Sequence, residues 1–226
     1  MKPIVGIFAH PDDEVFGPGG TLATFANDGR DVYLICVTNG DAGQNSTNEE
    51  RELGEIRREE LLKSAKAIGV KKVYFLGYKD GTLNNNIYHE IAEKIKKILY
   101  ELQPEFILTM ENRGVSGHLD HVAVSMISSY VFEKLTFIKE IWYYALTEEA
   151  RAIQPPYFIY FPPGYKKSDI SKTVDISPVW DQKVAAMHHH QSQKHDIERL
   201  LGQFMKRPKE EYFIIVKRDE VKRDKE

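Results

Sequence analysis

The sequence lacks the features that would place this chain in several common classes of protein. Cys36 is the only cysteine among 226 residues, which excludes an intrachain disulfide framework. No apolar run approaches the roughly 20 residues of a membrane-spanning helix, and no secretory signal precedes the first charged cluster. The formal net charge of −3 provides no broad basic surface for nucleic acid. We therefore expect a cytoplasmic protein that binds neither nucleic acid nor a membrane.

The hydrophobic pattern predicts an α/β protein. Short runs rich in β-branched residues alternate with amphipathic stretches through the first two-thirds of the chain. The predicted strands are 4–9, 31–38, 72–76, 105–110 and 140–145, and the predicted helices between them are 20–27, 50–68, 87–102 and 118–134. This alternation favours a Rossmann-like, doubly wound, mostly parallel sheet with helices on both faces, in a single domain.

The last third of the sequence is less regular. We expect residues 152–165, which contain four prolines, to form an ordered loop, with a substrate lid or a subunit contact as the alternative. Residues 178–205 have a helical pattern and residues 212–217 suggest a last strand. The predicted domain spans residues 1–217, and the charged tail 218–226 is expected to fray.

Unusual polar clusters follow the first and fourth predicted strands. The first cluster is HPDDE at 10–14 and the second is HLDH at 118–121. In an open parallel sheet the ligand crevice lies beyond the carboxyl ends of the strands. Three histidines and three aspartates are therefore expected beside one crevice.

A catalytic zinc site needs three nitrogen or oxygen ligands and an open position for water. His10 and Asp13 are three residues apart on a turn, and His121 belongs to the first turn of the predicted helix. These three residues are the predicted ligands, which leaves Asp12, His118 and Asp120 for chemistry and support. Each cluster alone has a structural explanation, because an aspartate can cap the helix that follows it and an HxxH pair can be solvated surface.

The motifs AHPDDE at 9–14 and GHLDH at 117–121 closely resemble those of the LmbE-like, or PIG-L, family of zinc-dependent N-acetylglucosaminyl deacetylases. Further similarities occur at IRREE (56–60), at Gly77 with Asp80-Gly81, and in the stretch 183–193, so that the resemblance covers most of the chain. The first hexapeptide is highly specific, whereas the C-terminal motif is less so.

The resemblance implies a role for each site residue. His10, Asp13 and His121 would bind zinc, and Asp12 would be the general base. His118 would stabilise the oxyanion or protonate the leaving amine, with Asp120 orienting it. Two residues would bind substrate, namely Arg57, for which Arg51 and Arg58 are close competitors, and His190.

The expected reaction is removal of an acetyl group from an N-acetylglucosamine-type sugar or sugar conjugate, a small-molecule substrate. An amidase acting on a larger amide conjugate at the same site is the alternative, and a non-catalytic sugar- or zinc-binding protein is a third hypothesis. Zn²⁺ is the expected cofactor, although two nitrogens and a carboxylate also suit Fe²⁺. Family members often self-associate, which leaves a homo-oligomer open. A phosphate loop at 17–20 is disfavoured, because its glycine spacing is wrong and Pro18 has no N–H.

Overall fold

The computed structural model describes residues 1–153 and 158–221. Its centre is a seven-stranded sheet in the order β3-β2-β1-β4-β5-β7-β6. The strands are β1 (Ile4–Phe8), β2 (Val32–Thr38), β3 (Lys72–Tyr78), β4 (Phe106–Met110), β5 (Glu140–Ala145), β6 (Lys172–Asp175) and β7 (Glu210–Lys217). The first five are parallel, whereas β7 is antiparallel to both β5 and β6.

Eight α-helices accompany the sheet in the described part of the chain. They are α1 (Asp13–Phe16), α2 (Gly19–Asn27), α3 (Leu53–Ala67), α4 (Tyr88–Leu102), α5 (Leu119–Lys134), α6 (Glu148–Ala152), α7 (Trp180–Met187) and α8 (Lys194–Phe204). None of the helices within residues 1–153 and 158–221 has the length and apolar composition needed to cross a membrane.

The sheet is buried on both faces. Every residue of β1 and β4 is buried, as expected for central strands of a parallel sheet covered by helices. One apolar cluster packs the sheet against α2, α3, α7 and α8, and a second packs the other face against α4 and α5. The predicted Rossmann-like fold with helices on both faces is thus confirmed.

The C-terminal third differs from its prediction in two places. The single helix predicted for 178–205 is interrupted, because α7 ends at Met187 and α8 begins at Lys194. At the break the Ser192 amide donates to the buried carboxylate of Glu60 at 2.7 Å, and tertiary hydrogen bonds therefore replace helical ones. The short edge strand β6 was not predicted, since three of its four residues are exposed and it has no apolar run.

Two other predictions fall partly on residues outside the described ranges. Residues 154–157 of the proline-containing loop lie outside them, as do residues 222–226 of the predicted tail. At the start of that tail, Arg218–Glu220 form a 3-10 turn, and the Arg218 guanidinium donates to carbonyl oxygens of Phe132, Leu135 and Ile138.

Candidate metal centre and active site

The loop after β1 and the first turn of α5 meet at the carboxyl edge of the sheet. His10 lies in the loop that follows β1, Asp13 begins α1, and His118 is the N-cap residue of α5. Because β1 and β4 are adjacent and parallel, the segments that follow them emerge side by side. The two clusters identified in the sequence therefore meet in one site.

Three of the predicted residues point ligand atoms at one another. Nδ1 of His10 lies 3.1 Å from Nε2 of His121, which in turn lies 3.1 Å from Oδ1 of Asp13. Oδ2 of Asp13 is 3.5 Å from Nδ1 of His10. Two imidazole nitrogens and a carboxylate at this spacing suit a divalent transition metal with an open coordination position. The donor set thus fits the expected cofactor.

Other groups hold the far sides of the two imidazole rings. Nε2 of His10 lies 3.4 Å from Oδ2 of Asp120 and 2.9 Å from Oδ1 of Asp80, although the latter contact lacks hydrogen-bond geometry. Nδ1 of His121 lies 3.0 Å from the carbonyl oxygen of Gly114. Such contacts fix the tautomer of a metal-binding histidine and leave the opposite nitrogen for the metal.

The site attracts positive charge. Burial lowers the pKa of His10, but the neighbouring carboxylates of Asp120, Asp13 and Asp80 outweigh it and raise the pKa well above 6.5. Burial likewise opposes the shift at Asp13, whose pKa is held well below its usual range by the positive charge of His121 and by hydrogen bonds to both histidines. The negative charge that favours a proton on His10 also favours a cation beside it.

Asp12 lies beside the ligand group without belonging to it. Its Oδ2 accepts a hydrogen bond from the Arg57 guanidinium at 2.8 Å, and burial raises its pKa to about 7 against the opposing charge of Arg57. Its backbone has φ 122°, a conformation that non-glycine residues rarely adopt and that often occurs at functional sites. Asp12 is therefore a carboxylate that exchanges protons near neutral pH.

Arg57 is the buried member of the three arginines considered as substrate ligands. Its guanidinium also donates to the carbonyl oxygens of Pro11 and Gly40, and its side chain lines the cavity. Arg51 instead pairs with exposed glutamates, and Arg58 lies over the ring of Phe75. The structure thus distinguishes Arg57 from its two competitors.

His118 is a neutral imidazole facing the cavity. Burial and the positive charges of His10 and His121 lower its pKa to about 4. Its Nδ1 accepts a hydrogen bond from the Asp120 amide at 3.1 Å, so the neutral ring carries its proton on Nε2. The ring of Phe158 contacts His118 edge-on at a centroid distance of 4.9 Å.

The structure corrects the expected role of Asp120. We predicted that its carboxylate orients His118, but that contact comes from the Asp120 backbone amide. The carboxylate instead accepts hydrogen bonds from the backbone amides of Gly81 and Leu83 at 2.8 and 3.1 Å and faces His10. Asp120 therefore joins the loop after β3 to the metal centre.

His190 also lies elsewhere than predicted. It is fully buried, its Nε2 is 2.8 Å from Oε1 of Glu14, and it is not among the described residues that line the cavity. Ser64 donates to the same Glu14 oxygen at 2.7 Å. His190 thus lies behind the metal-binding loop, in a position to support that loop but not to contact substrate.

The sequence reasoning missed Asp80 and Glu14 as site residues. Asp80 lines the cavity beside His10, and Glu14 receives hydrogen bonds behind the loop from His190, Ser64 and the Asp12 amide. The signal for Asp80 was present, since an Asp-Gly pair follows β3 at the same sheet edge. Glu14 is part of the HPDDE cluster, but no role was assigned to it, because an acidic residue in the first turn of a helix usually faces solvent.

The metal centre opens into a cavity of about 330 Å³, at the lower end of the range for small-molecule sites. Asp12, Arg57, Asp80 and His118 contribute to its polar lining, and aromatic and aliphatic side chains form much of the remainder. The site can thus hold a small organic substrate against a buried carboxylate, a neutral imidazole and a trio of residues that could hold a cation.

Comparisons with known proteins agree with this arrangement. A family profile described as PIG-L, GlcNAc-PI de-N-acetylase, matches residues 5–131. A probable N-acetyl-alpha-D-glucosaminyl L-malate deacetylase 2 of Bacillus cereus is 30% identical over 203 residues, which cover 85% of this chain and 84% of that protein. The solved N,N'-diacetylchitobiose deacetylase of Pyrococcus horikoshii has a TM-score of 0.72 at 25% identity, covering 96% of this chain and 84% of that one.

The same fold also occurs in a protein whose sequence is less similar to this chain. A 4-carboxy-2-hydroxymuconate hydratase of Pseudomonas putida has a TM-score of 0.75 at 19% identity, covering 100% of this chain and 99% of that one. A hydratase with this architecture shows that the fold does not determine the reaction. The family profile, however, covers more than half of the 226 residues and contains the motifs that form the metal centre, and on that ground the chain belongs to the PIG-L family.

Proposed function

We propose that this chain is a metal-dependent hydrolase that removes the acetyl group from an N-acetylglucosamine-type sugar or sugar conjugate. The observation that carries the proposal is the pairing of a cation-binding trio with Asp12, a neighbouring carboxylate outside that trio whose pKa is about 7. Membership of the PIG-L family and the similarity to named glucosaminyl deacetylases support the same reaction.

In this proposal His10, Asp13 and His121 hold the metal. His10 also belongs to a second trio, with Asp80 and His118, that could hold an ion. We favour the first trio because Nε2 of His10, the nitrogen that faces the second trio, lies 3.4 Å from Oδ2 of Asp120, an acceptor that belongs to neither trio. Zinc is the proposed metal, and the proposed catalytic unit is the cytoplasmic domain 1–217.

A bound divalent cation supplies Lewis acidity, which lowers the pKa of water to near 7 and polarises a carbonyl oxygen. Asp12 accepts the proton of the attacking water, since a base with a pKa near the working pH is best suited to that transfer. Arg57 holds the Asp12 carboxylate in place through its hydrogen bond of 2.8 Å. The proton that Asp12 takes up is then available for the leaving amine.

His118 contributes as a neutral hydrogen-bond donor. Because Nδ1 accepts from the Asp120 amide, the Nε2–H is free to donate to the carbonyl oxygen as negative charge develops on it. Its low pKa keeps the ring neutral across the physiological range, which favours oxyanion stabilisation over protonation of the amine. We accordingly assign the proton delivery to Asp12.

The experiment that tests the proposal is elemental analysis of the purified protein combined with an acetate-release assay. Substrates would be N-acetylglucosamine joined to small alcohols or acids, with the assay repeated after chelation and after zinc is restored. We expect about one metal ion per chain and acetate release that chelation abolishes and zinc recovers. A metal-loaded protein that cleaves none of these amides would contradict the proposal.

A further inference from the structure

Gln193 brings a buried amide side chain to the wall of the cavity, outside the metal centre. It ends the short 3-10 turn Gln191–Gln193 between α7 and α8, lines the cavity and is only 4% exposed. Neither the metal-binding trio nor the groups assigned to the reaction use it. A buried polar side chain is normally bound at all its polar atoms, so the partners of this amide show what it can still bind.

Both hydrogens of the Gln193 amide group are donated to the protein. Nε2 donates to the backbone carbonyl oxygen of Gln44 at 2.8 Å and to Oγ of Ser192 at 3.1 Å. A side-chain amide has two N–H donors and one carbonyl oxygen that accepts. The donors are therefore fully used, and the remaining polar atom is Oε1.

A buried carboxylate fixes the direction of these hydrogen bonds. Glu60 accepts from the Ser192 amide at 2.7 Å and from the Ser192 hydroxyl at 2.6 Å. Because the single hydroxyl hydrogen points at Glu60, Oγ of Ser192 accepts from Gln193 and does not donate to it. Turning the Gln193 amide over would place Oε1 against two acceptors, the Gln44 carbonyl oxygen and Ser192 Oγ. The network therefore assigns Nε2 to the protein side of the amide.

Oε1 of Gln193 is an acceptor that receives no hydrogen bond from residues 1–153 or 158–221. It is also not enclosed, and the open space beside Gln193 is the cavity that the residue lines. Gly43, another residue of the cavity wall, lies next to it. A Cβ atom added to Gly43 would be 3.5 Å from Oε1 and 2.9 Å from Nη1 of Arg57. Oε1 thus lies near Arg57, which binds the Asp12 carboxylate.

An acceptor held in this way selects a hydrogen-bond donor on the ligand. A sugar hydroxyl is such a donor, whereas an ether oxygen or a C–H group in its place is not. A site built around a substrate hydroxyl rejects an analogue that lacks it, because the buried acceptor is then left without a partner.

We propose that Oε1 of Gln193 accepts a hydrogen bond from a hydroxyl group of the substrate's sugar ring, which makes Gln193 a specificity-determining residue. The inference rests on the proposed hydrolysis of an N-acetylated amino sugar and names a group that selects this sugar. The site takes substrates in which that hydroxyl is free and discriminates against those in which it is missing or alkylated. Ser192 and Glu60 are positioning residues, because they act through the Gln193 amide.

The test is a double-mutant cycle between Gln193 and the sugar hydroxyls. The substrates are methyl N-acetylglucosaminide and its 3-deoxy, 4-deoxy and 6-deoxy analogues, assayed for acetate release by the metal-loaded protein. For the wild type we expect kcat/KM to fall about tenfold for the analogue that lacks the bound hydroxyl, the order of the cost of an unpaired buried acceptor. Gln193→Met should lower kcat/KM of the parent by a similar factor and erase its advantage over that one analogue.

A loss that is the same for every substrate would contradict the inference. If Gln193→Met lowered kcat/KM of the parent and of all three analogues by one factor, or changed none of them, no hydroxyl would be bound by this side chain. Acetate release by the wild type would still leave the proposed function intact. Gln191→Met is the matched control, because Gln191 lies in the same turn but is exposed and is not among the described residues lining the cavity. It should leave the values for all substrates unchanged.

Calorimetric binding of the deacetylated sugars needs neither turnover nor a variant. The wild-type protein should bind methyl glucosaminide about tenfold more tightly than the deoxy analogue that lacks the bound hydroxyl. Equal affinities for the parent and all three analogues, or no binding, would overturn the inference even if Gln193→Met failed to fold. A protein that shows this preference but cleaves no amide would contradict the proposed function and leave the inference standing.

Discussion

The two regions that surround the metal centre differ in backbone geometry and in how their buried charges are arranged. The loop after β1 contains Asp12, which has φ 122° and a pKa of about 7, and His10, whose Nδ1 faces Nε2 of His121 at 3.1 Å. The segment from α7 to β7 contains buried charges that are matched with partners. The comparison indicates that the first region contains the groups suited to catalysis, whereas the second contributes to the stability of the fold around them.

Two buried interactions of the second region reach back to the first. The Lys183 ammonium donates at 2.7 Å both to Glu211 and to the carbonyl oxygen of Gly17, just after α1. Glu211 also accepts from the amides of Gly20 and Thr21, at the start of α2. The C-terminal segment therefore holds both the end of the metal-binding loop and the helix that follows it.

The largest expected effect concerns the reactive region. Asp12→Asn removes the proposed base but keeps the size of the side chain, so kcat should fall about 10²–10⁴-fold, the usual contribution of general acid–base catalysis. Metal content should stay at the wild-type level, because Asp12 is outside the ligand trio. Exposed Asp28→Asn is the control, and more than a tenth of wild-type activity in Asp12→Asn would contradict its role as base.

The second prediction concerns the buried ion pair between Lys183 and Glu211 in the C-terminal segment. Lys183→Met leaves the buried Glu211 carboxylate without its charged partner, which should cost about 3–5 kcal/mol of unfolding free energy. Urea denaturation measures this loss. The double variant Lys183→Met with Glu211→Gln should recover part of the stability, since the uncompensated charge is gone. A double variant less stable than the single one would show that the ion pair is not the reason for the loss.

The third prediction is a pH dependence of stability. Burial lowers the pKa of His190, but the charge of Glu14 and its hydrogen bond outweigh this and raise the pKa above 6.5. A group whose pKa is raised on folding stabilises the protein below its unfolded pKa, and the contribution is lost as pH rises through the folded value. The interaction should be worth about 1.5–3 kcal/mol at low pH.

Denaturation of wild type and His190→Gln from pH 5.5 to 9 tests this prediction. At each pH it measures the difference between their free energies of unfolding. We expect the difference to be largest at the acid end and to shrink as pH increases. Exposed His89→Gln serves as the control for a general histidine effect. A difference that grows with pH would mean that His190 is buried in its neutral form.

The smallest effect is expected in the exposed segment just before α3, the helix that carries Arg57. Arg51→Ala removes pairs with Glu49 and Glu59, but all three groups are exposed and solvent screens their interaction. Melting temperature and kcat/KM should therefore be unchanged within error, whereas Arg57→Ala should lower kcat/KM by releasing Asp12. Equal effects of the two variants would remove the distinction between the two arginines.

Much of the fold and the metal centre was predictable because local patterns decide them. Alternating apolar runs located five parallel strands and the helices between them, and parallel strands necessarily bring their carboxyl ends to one edge. His10, Asp13 and His121 were therefore expected together before any distance was known. The unpredicted strand β6 and the break between α7 and α8 depend on distant partners, such as Glu60, which no local pattern records.

The sequence by itself determined which chemical groups this protein has at the sheet edge: two imidazoles, a ligand aspartate and a second aspartate beside it. Only the tertiary structure decided what each group touches. It placed His190 behind the loop, turned the Asp120 carboxylate toward His10 and brought Asp80 beside the same ring. Spacing along the chain sets which residues share a turn, whereas burial, charge and hydrogen bonding depend on segments that lie far apart in the sequence.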